Sequence, residues 1–229
     1  MQLPLLLTAA LLPLLSLGAA LLPRTDTTSA TLTFDDKLAL PAAILPVGNE
    51  GGLDFRSFAL LKLSSNPIGA ARPKSGTNIA ATNFRTRITN NIIFFDPFNP
   101  VSAIVAPQPL ITVAYPGSLY DRFTLESLYI ACAASTAVGV VGVLTGCRVR
   151  FEAIRPDGSV KGTEVVEYKP MTANPVDVED MQFVVFNRDF EGVREVKVFL
   201  ESGLTGVELV DGFVTNISVD DVKVKVMKK

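Results

Sequence analysis

The chain has 229 residues, a formal net charge of −2 and a hydrophobic fraction of 48%. A balance that close to zero, with the densest basic group (Lys223, Lys225, Lys228, Lys229) in a C-terminal tail, leaves no stripe for a nucleic acid or an acidic lipid surface. There is no His and no Trp, which removes Ser-His-Asp and Cys-His catalysis in their usual forms, the commonest metal ligand, and the best aromatic platform for sugars or bases.

In chain order, residues 1–22 read MQLPLLLTAALLPLLSLGAALL, with no charged side chain. Gly18 and Ala20 occupy the −3 and −1 places of a small-x-small cleavage site. A secretory signal peptide over residues 1–20 is therefore expected, with residues 21–229 as a single domain. An uncleaved membrane anchor is the alternative, because the run is just long enough to span. Pro4 and Pro13 interrupt it, and no basic residue follows until Arg24. The C-terminal tail VKVKVMKK is charged, so no glycolipid-anchor signal is expected there. Secretion without stable membrane insertion is the expectation.

Past the leader, short apolar alternation broken by Pro and Gly replaces any amphipathic helix. Thr31-Leu32-Thr33-Phe34 is rich in strand formers. Residues 53–63 place Leu53, Phe55, Leu61 and Leu63 at even spacing. Residues 64–118 carry SSNPIGAARPKSGTN, DPFNP, APQP and YPG, and read as long Pro-rich loops around two or three strands, among them NIIFF at 91–95. Residues 147–154 alternate cleanly, with Cys147, Val149, Phe151 and Ala153 on one face and Arg148, Arg150 and Glu152 on the other. Arg155-Pro156-Asp157-Gly158 is a turn, and Val160–Tyr168 returns as its partner strand. Val196, Val198 and Leu200 alternate again. Many short strands separated by turn signals predict an all-β fold, a sandwich or a barrel, with the antiparallel β-sandwich as the leading expectation, and a chain of this length buries about 70% of its unfolded surface without needing a metal or a dense disulfide net.

Two cysteines in an exported chain predict a Cys132–Cys147 disulfide, with two buried free thiols as the alternative. Asn216-Ile217-Ser218 is an N-glycosylation acceptor pattern. In the last strand Ile217 and Val219 share one phase, and Val222, Val224 and Val226 share the other. The slip at Asp220-Asp221 is that of a β-bulge. Two carboxylates at a bulge require solvent, a basic partner or a cation.

The words TLTFDD (31–36) and ISVDDVKVKV (217–226) resemble the first and last strands of galactose-binding-like jelly rolls, including carbohydrate-binding modules. RFTLESLYIAC, CRVRFEAIRPDGS and FEGVREVKVFLES resemble the strands between. The layout is similar to uncharacterised secreted fungal proteins. The resemblance covers roughly residues 31–63 and 120–226. It implies an antiparallel jelly roll of eight to ten strands with its ends close together. It also implies a structural calcium near the first and last strands, for which Asp35, Asp36, Asp220 and Asp221 are the matching residues; calcium takes six to eight oxygen ligands. Sugar-binding relatives present aromatic platforms, and Tyr115 and Tyr120, flanking Pro116-Gly117, are the matching side chains here. Tyr129, within a strand pattern, is assigned to the core.

The leading expectation is a secreted, non-catalytic module that binds extracellular or cell-wall glycan. The alternative is a secreted structural or protein-interaction protein, such as an adhesion or host-interacting factor. Third is a carboxylate-based glycan-active enzyme, since an acidic pair runs glycoside hydrolysis without His. For that reading Glu164 and Glu167 fall on opposite strand faces, and Glu179-Asp180 lies in an acidic loop. No phosphate loop or nucleophile elbow accompanies them.

Overall fold

A computed structural model describes residues 26–39, 45–63, 71–85, 108–136, 142–171, 178–203 and 213–229. The expected signal peptide and the NIIFF strand lie outside these residues. Within them the chain is β structure almost throughout, joined by turns and one short 3-10 turn, Arg188–Phe190.

The strands are β1 (Thr27–Leu32), β2 (Leu45–Glu50), β3 (Leu53–Lys62), β4 (Ala71–Arg72), β5 (Asn78–Arg85), β6 (Leu110–Thr112) and β7 (Tyr120–Thr136). They continue with β8 (Gly142–Leu144), β9 (Cys147–Ile154), β10 (Val160–Tyr168), β11 (Glu179–Asp180), β12 (Gln182–Val185), β13 (Glu195–Gly203) and β14 (Phe213–Lys228). The hydrogen-bonded path runs β10-β9-β13-β6-β3-β5-β14-β7-β12, with β1 on β14, β2 on β3 and β8 on β7. Every pairing along it is antiparallel; the two-residue β4–β11 pair is parallel.

The path folds into a sandwich because β3 changes layer. Its first half, Asp54–Arg56, pairs with β6, and its second half, Ala59–Lys62, pairs with β5. Between them Ser57 has φ 62°, and a strand that switches sheets needs such a bend. The bend also changes the alternation. Leu53 and Phe55 are buried as expected, but after Ser57 the inward residues are Phe58 and Leu60, and Leu61 and Leu63 are only partly buried. Even spacing from residue 53 to 63 fails because the strand is not one regular pleat.

One apolar core fills the space between the layers. Val149, Phe151 and Ala153 of β9, Val196 and Val198 of β13, and Ile217, Val219, Val222, Val224 and Val226 of β14 are all buried in it. Phe151 meets Phe186 edge-on with ring centroids 5.1 Å apart, and Phe186 contacts Phe190 at 4.6 Å. The Cys132–Cys147 disulfide is present, joining β7 to the start of β9 with Cα atoms 6.1 Å apart. It ties the two layers together, beside the backbone bond from Thr145 N–H to the Cys132 carbonyl at 3.0 Å.

The first described strand and the last strand are neighbours. β1 pairs with β14 from Thr27 opposite Met227 to Leu32 opposite Val222. That brings the acidic turn after β1 close to the acidic bulge of β14.

Candidate functional site

The phase slip in β14 is a real bulge. The register against β7 shifts between Asp220 and Lys223, and Asp221 at the slip has φ 44°. Ile217 and Val219 point into the core, so Asp220 belongs to the outer face of the sheet. It is nevertheless fully buried, because the segment Pro73–Thr77 lies over it. Asp220 Oδ2 accepts hydrogen bonds from Lys74 N–H at 2.8 Å and Ser75 N–H at 3.0 Å, and its Oδ1 accepts from Asp221 N–H at 2.8 Å.

Asp35 holds the far end of the same segment. Its Oδ1 accepts from Thr77 N–H at 3.0 Å and Asn78 N–H at 3.1 Å. Asn78 Nδ2 donates in return to the carbonyls of Phe34 and Lys37, both at 3.0 Å. Gly76 sits between the two clasps with φ +43°, and a Cβ there would fall 2.0 Å from Asp35 Oδ1. Only glycine fits so close an approach at positive φ. Two aspartates from opposite ends of the chain thus clamp one loop through four of its amides. Burial pushes the Asp220 carboxyl up to about 6, helped by the neighbouring Asp221 charge and opposed by the three amides.

The donor set bears on calcium. Asp220 Oδ2 and Asp35 Oδ1 each receive two N–H groups, which occupy the lone pairs a cation would use. Asp36 is exposed. Ser75 Oγ, Asn78 Oδ1 and Asp221 Oδ1 are buried without a hydrogen-bond partner. Among the described residues no group of three or more acidic, Cys or His side chains is placed to hold a metal. Asp35 Oδ1 and Asp220 Oδ2 thus serve backbone amides at this clamp.

The clamped loop carries Lys74 onto an aromatic surface. Its Nζ lies 5.2 Å from the centroid of the Tyr129 ring, within cation–π range. Tyr129 is opposite Asp220 on one side and opposite Phe183 of β12 on the other. The Tyr129 and Phe183 rings are 5.0 Å apart, tilted by 42°. Phe183 is 53% exposed, and Val185, two residues along the same face, is 64% exposed. Tyr129 is therefore an outer-face residue that only partly packs against the core. The signal was present in the sequence: Leu128, Ile130 and Cys132 point inward, so alternation turns Tyr129 outward.

Tyr115 and Tyr120 do not form a pair of free rings. Tyr115 is half-buried and opens a turn closed by Ser118 N–H to its carbonyl at 3.1 Å. The Tyr120 ring packs against Gly52, where a Cβ would lie 2.4 Å from Cε2. That ring face is already used within the protein. Asn216 lies half-buried in mid-strand on β14, between Asn83 of β5 and Ala133 of β7.

The carboxylates weighed for catalysis are engaged individually. Glu164 accepts from Asn187 Nδ2 at 3.0 Å, and Glu167 pairs with Lys169 at 3.0 Å. Glu179 is buried and accepts from Met171 N–H at 2.6 Å, while Asp180 is exposed and pairs with Arg72 at 3.2 Å. On the opposite layer Glu201 bridges Arg148 at 3.0 Å and Arg150 at 3.1 Å, and Glu152 also pairs with Arg150.

No protein-family model and no curated protein matches the chain. Among solved structures it is similar to a DUF4465 family protein from Bacteroides caccae, with a TM-score of 0.50 and 9% identity, over 88% of this chain and 100% of that one. At that identity the likeness concerns the fold alone, an all-β one.

Proposed function

We propose that the protein is a secreted, non-catalytic module that binds extracellular or cell-wall glycan on the outer face of β7 and β12. The observation that carries the reading is the Tyr129–Phe183 ring pair, with Phe183 more than half exposed. A flat apolar ring open to water offers CH-rich sugar faces a stacking surface, and buried apolar area with few polar groups is how such sites hold ligands. The clamp at Asp35 and Asp220 supports it by fixing the loop that borders Tyr129, so little ordering entropy is lost on binding. Tyr115 is a secondary stacking candidate. The galactose-binding-like resemblance of the terminal strands agrees with this reading.

The test is a polysaccharide and glycan array probed with the exported protein and with Phe183→Ala, with and without chelator. Binding that drops at least tenfold in the variant and ignores the chelator is expected. Binding lost equally in Tyr115→Ala but not in Phe183→Ala would move the site to the 115–118 turn. Absence of binding across the panel refutes the glycan reading.

A second reading, a protein-interaction module, draws on a different observation. β12 ends the hydrogen-bonded path with apolar side chains exposed, and such an edge accepts an added strand.

A further inference from the structure

We infer that β12 pairs with β12 of a second copy, extending the sheet across a twofold axis and joining two Tyr129–Phe183 surfaces into one.

The argument starts from the edges of the sheet. β10, at the other end of the path, carries Lys161, Glu164 and Glu167 and a register irregularity at Val160/Gly162. Charges and bulges of that kind keep an edge from pairing. β2 has Pro46 and a register shift beside Gly48. β1 presents polar Thr and Ser. β12 reads Gln182-Phe183-Val184-Val185, with no charge, no Pro and no bulge. β8, Gly142-Val143-Leu144, is also uncharged and unpaired on its far side, but it is only three residues long, and shortness itself guards an edge; among the described residues β12 is the longer apolar edge left open.

Backbone geometry then fixes the register. Phe186 N–H donates to the Glu126 carbonyl of β7 at 2.9 Å. Residues of the same parity, Val184 and Gln182, therefore turn their N–H and C=O toward β7, opposite Leu128 and Ile130. Phe183 and Val185 turn theirs to the open side, where no partner exists among the described residues. Antiparallel self-pairing must match outward groups with outward groups. Centring the axis on Val184 sets Phe183 opposite Val185 of the second copy and Val185 opposite its Phe183. Each is a hydrogen-bonded pair, giving four bonds. Centring on Phe183 or on Val185 gives one such pair and two bonds. The Val184-centred register also sets aromatic against β-branched side chains, a favourable cross-strand pair.

Charge agrees at both ends. Exposed Asp180, which pairs with Arg72 in the single copy, precedes the strand and exposed Arg188 follows it, so an antiparallel second copy sets its basic end beside the acidic end of the first. Strand pairing leaves the outer faces open, so Tyr129, Phe183 and the second copy's Val185 lie in one row. The two Phe183 residues fall on a diagonal, a cross-strand spacing of about 7–8 Å. If the glycan reading holds, the pair is a bivalent platform, and avidity raises affinity without any new contact. The pairing itself does not depend on that reading.

Sedimentation of the exported protein without glycan, over a range from micromolar to high micromolar, is the experiment. A concentration-dependent doubling of mass is expected. Val185→Pro removes two of the four bonds by deleting an N–H that faces solvent in the single copy, which an edge strand tolerates. Val185→Lys places a charge on the edge. Both should weaken the dimer at least tenfold with melting temperature near that of the parent, and Val165→Lys on β10 should leave it unchanged. A parent that stays monomeric over the whole range overturns the inference, as does a dimer indifferent to Val185→Lys. Dimerisation without glycan binding would leave the inference standing and sink only the glycan reading.

Discussion

Replacing Asp220 with Ala takes the acceptor away from three backbone N–H groups. An unmade buried hydrogen bond costs about 1–3 kcal/mol. Lys74 and Gly76 are exposed, so the loop amides can turn to water and the loss stays near the low end, about 1–3 kcal/mol in total at pH 7. The informative quantity is how that loss changes with pH. Burial raises the folded-state carboxyl to about 6 from its ordinary 3.8. A raised folded value means that the native state holds the proton more tightly. The group's linked contribution is then complete below about pH 4 and is lost as pH rises through 6. Between pH 7 and pH 5 the linkage relation gives about 1 kcal/mol. Urea unfolding of the parent and Asp220→Ala at pH 7, 6 and 5 measures it, and the penalty of the variant should grow by that amount as pH falls. Tyr129 on the paired strand, Lys74 on the loop and Asp221 beside it are the titratable neighbours, and both variants share them. A penalty that shrinks on acidification would refute the reasoning. It would mean that the three amides outweigh burial and that Asp220 behaves as an ordinary hydrogen-bonded carboxylate.

Reducing the Cys132–Cys147 bridge, which closes a separation of 15 residues, should cost about 3 kcal/mol. In a chain of this size that lowers the melting temperature by about 6–12 °C in a scan with and without reductant; no shift would mean that the layers hold without it. Gly76→Ala should destabilise clearly more than Gly117→Ala in the same scan. Both glycines have positive φ, but a Cβ at 76 strikes Asp35 while one at 117 meets open space, so the second costs only the left-handed penalty of about 1–2 kcal/mol. Equal effects would show that the Asp35 clasp does not constrain the loop. Millimolar calcium or its chelation should move the melting temperature by less than about 1 °C, because an ion without a sufficient ligand shell gives no linkage stabilisation; a calcium-dependent rise would restore the metal reading of the acidic pairs.

Period-2 alternation carried much of the architecture by itself. It marked β9 and β13 and the bulge at Asp220-Asp221, because a strand's face is set by backbone geometry that each residue obeys locally, and Pro156 and Gly158 marked the turn between β9 and β10 by their own backbone preferences. An even number of cysteines likewise pointed to the bridge that is present. Alternation says which way a side chain points and nothing about what it meets. Lys74 and Asp220 are 146 residues apart, and the sequence could not join them, because strand order decides which loop covers which strand. The same holds for Tyr129 and Phe183, which become neighbours only once β12 lies beside β7. It holds for Asp35, whose Oδ1 reaches the Thr77 amide 42 residues further along the chain. Ser57 shows the limit from the other side. Nothing in LDFRSFALLKL marks the corner, since the bend answers to the need of one strand to serve both layers, and that need exists only in the folded sandwich.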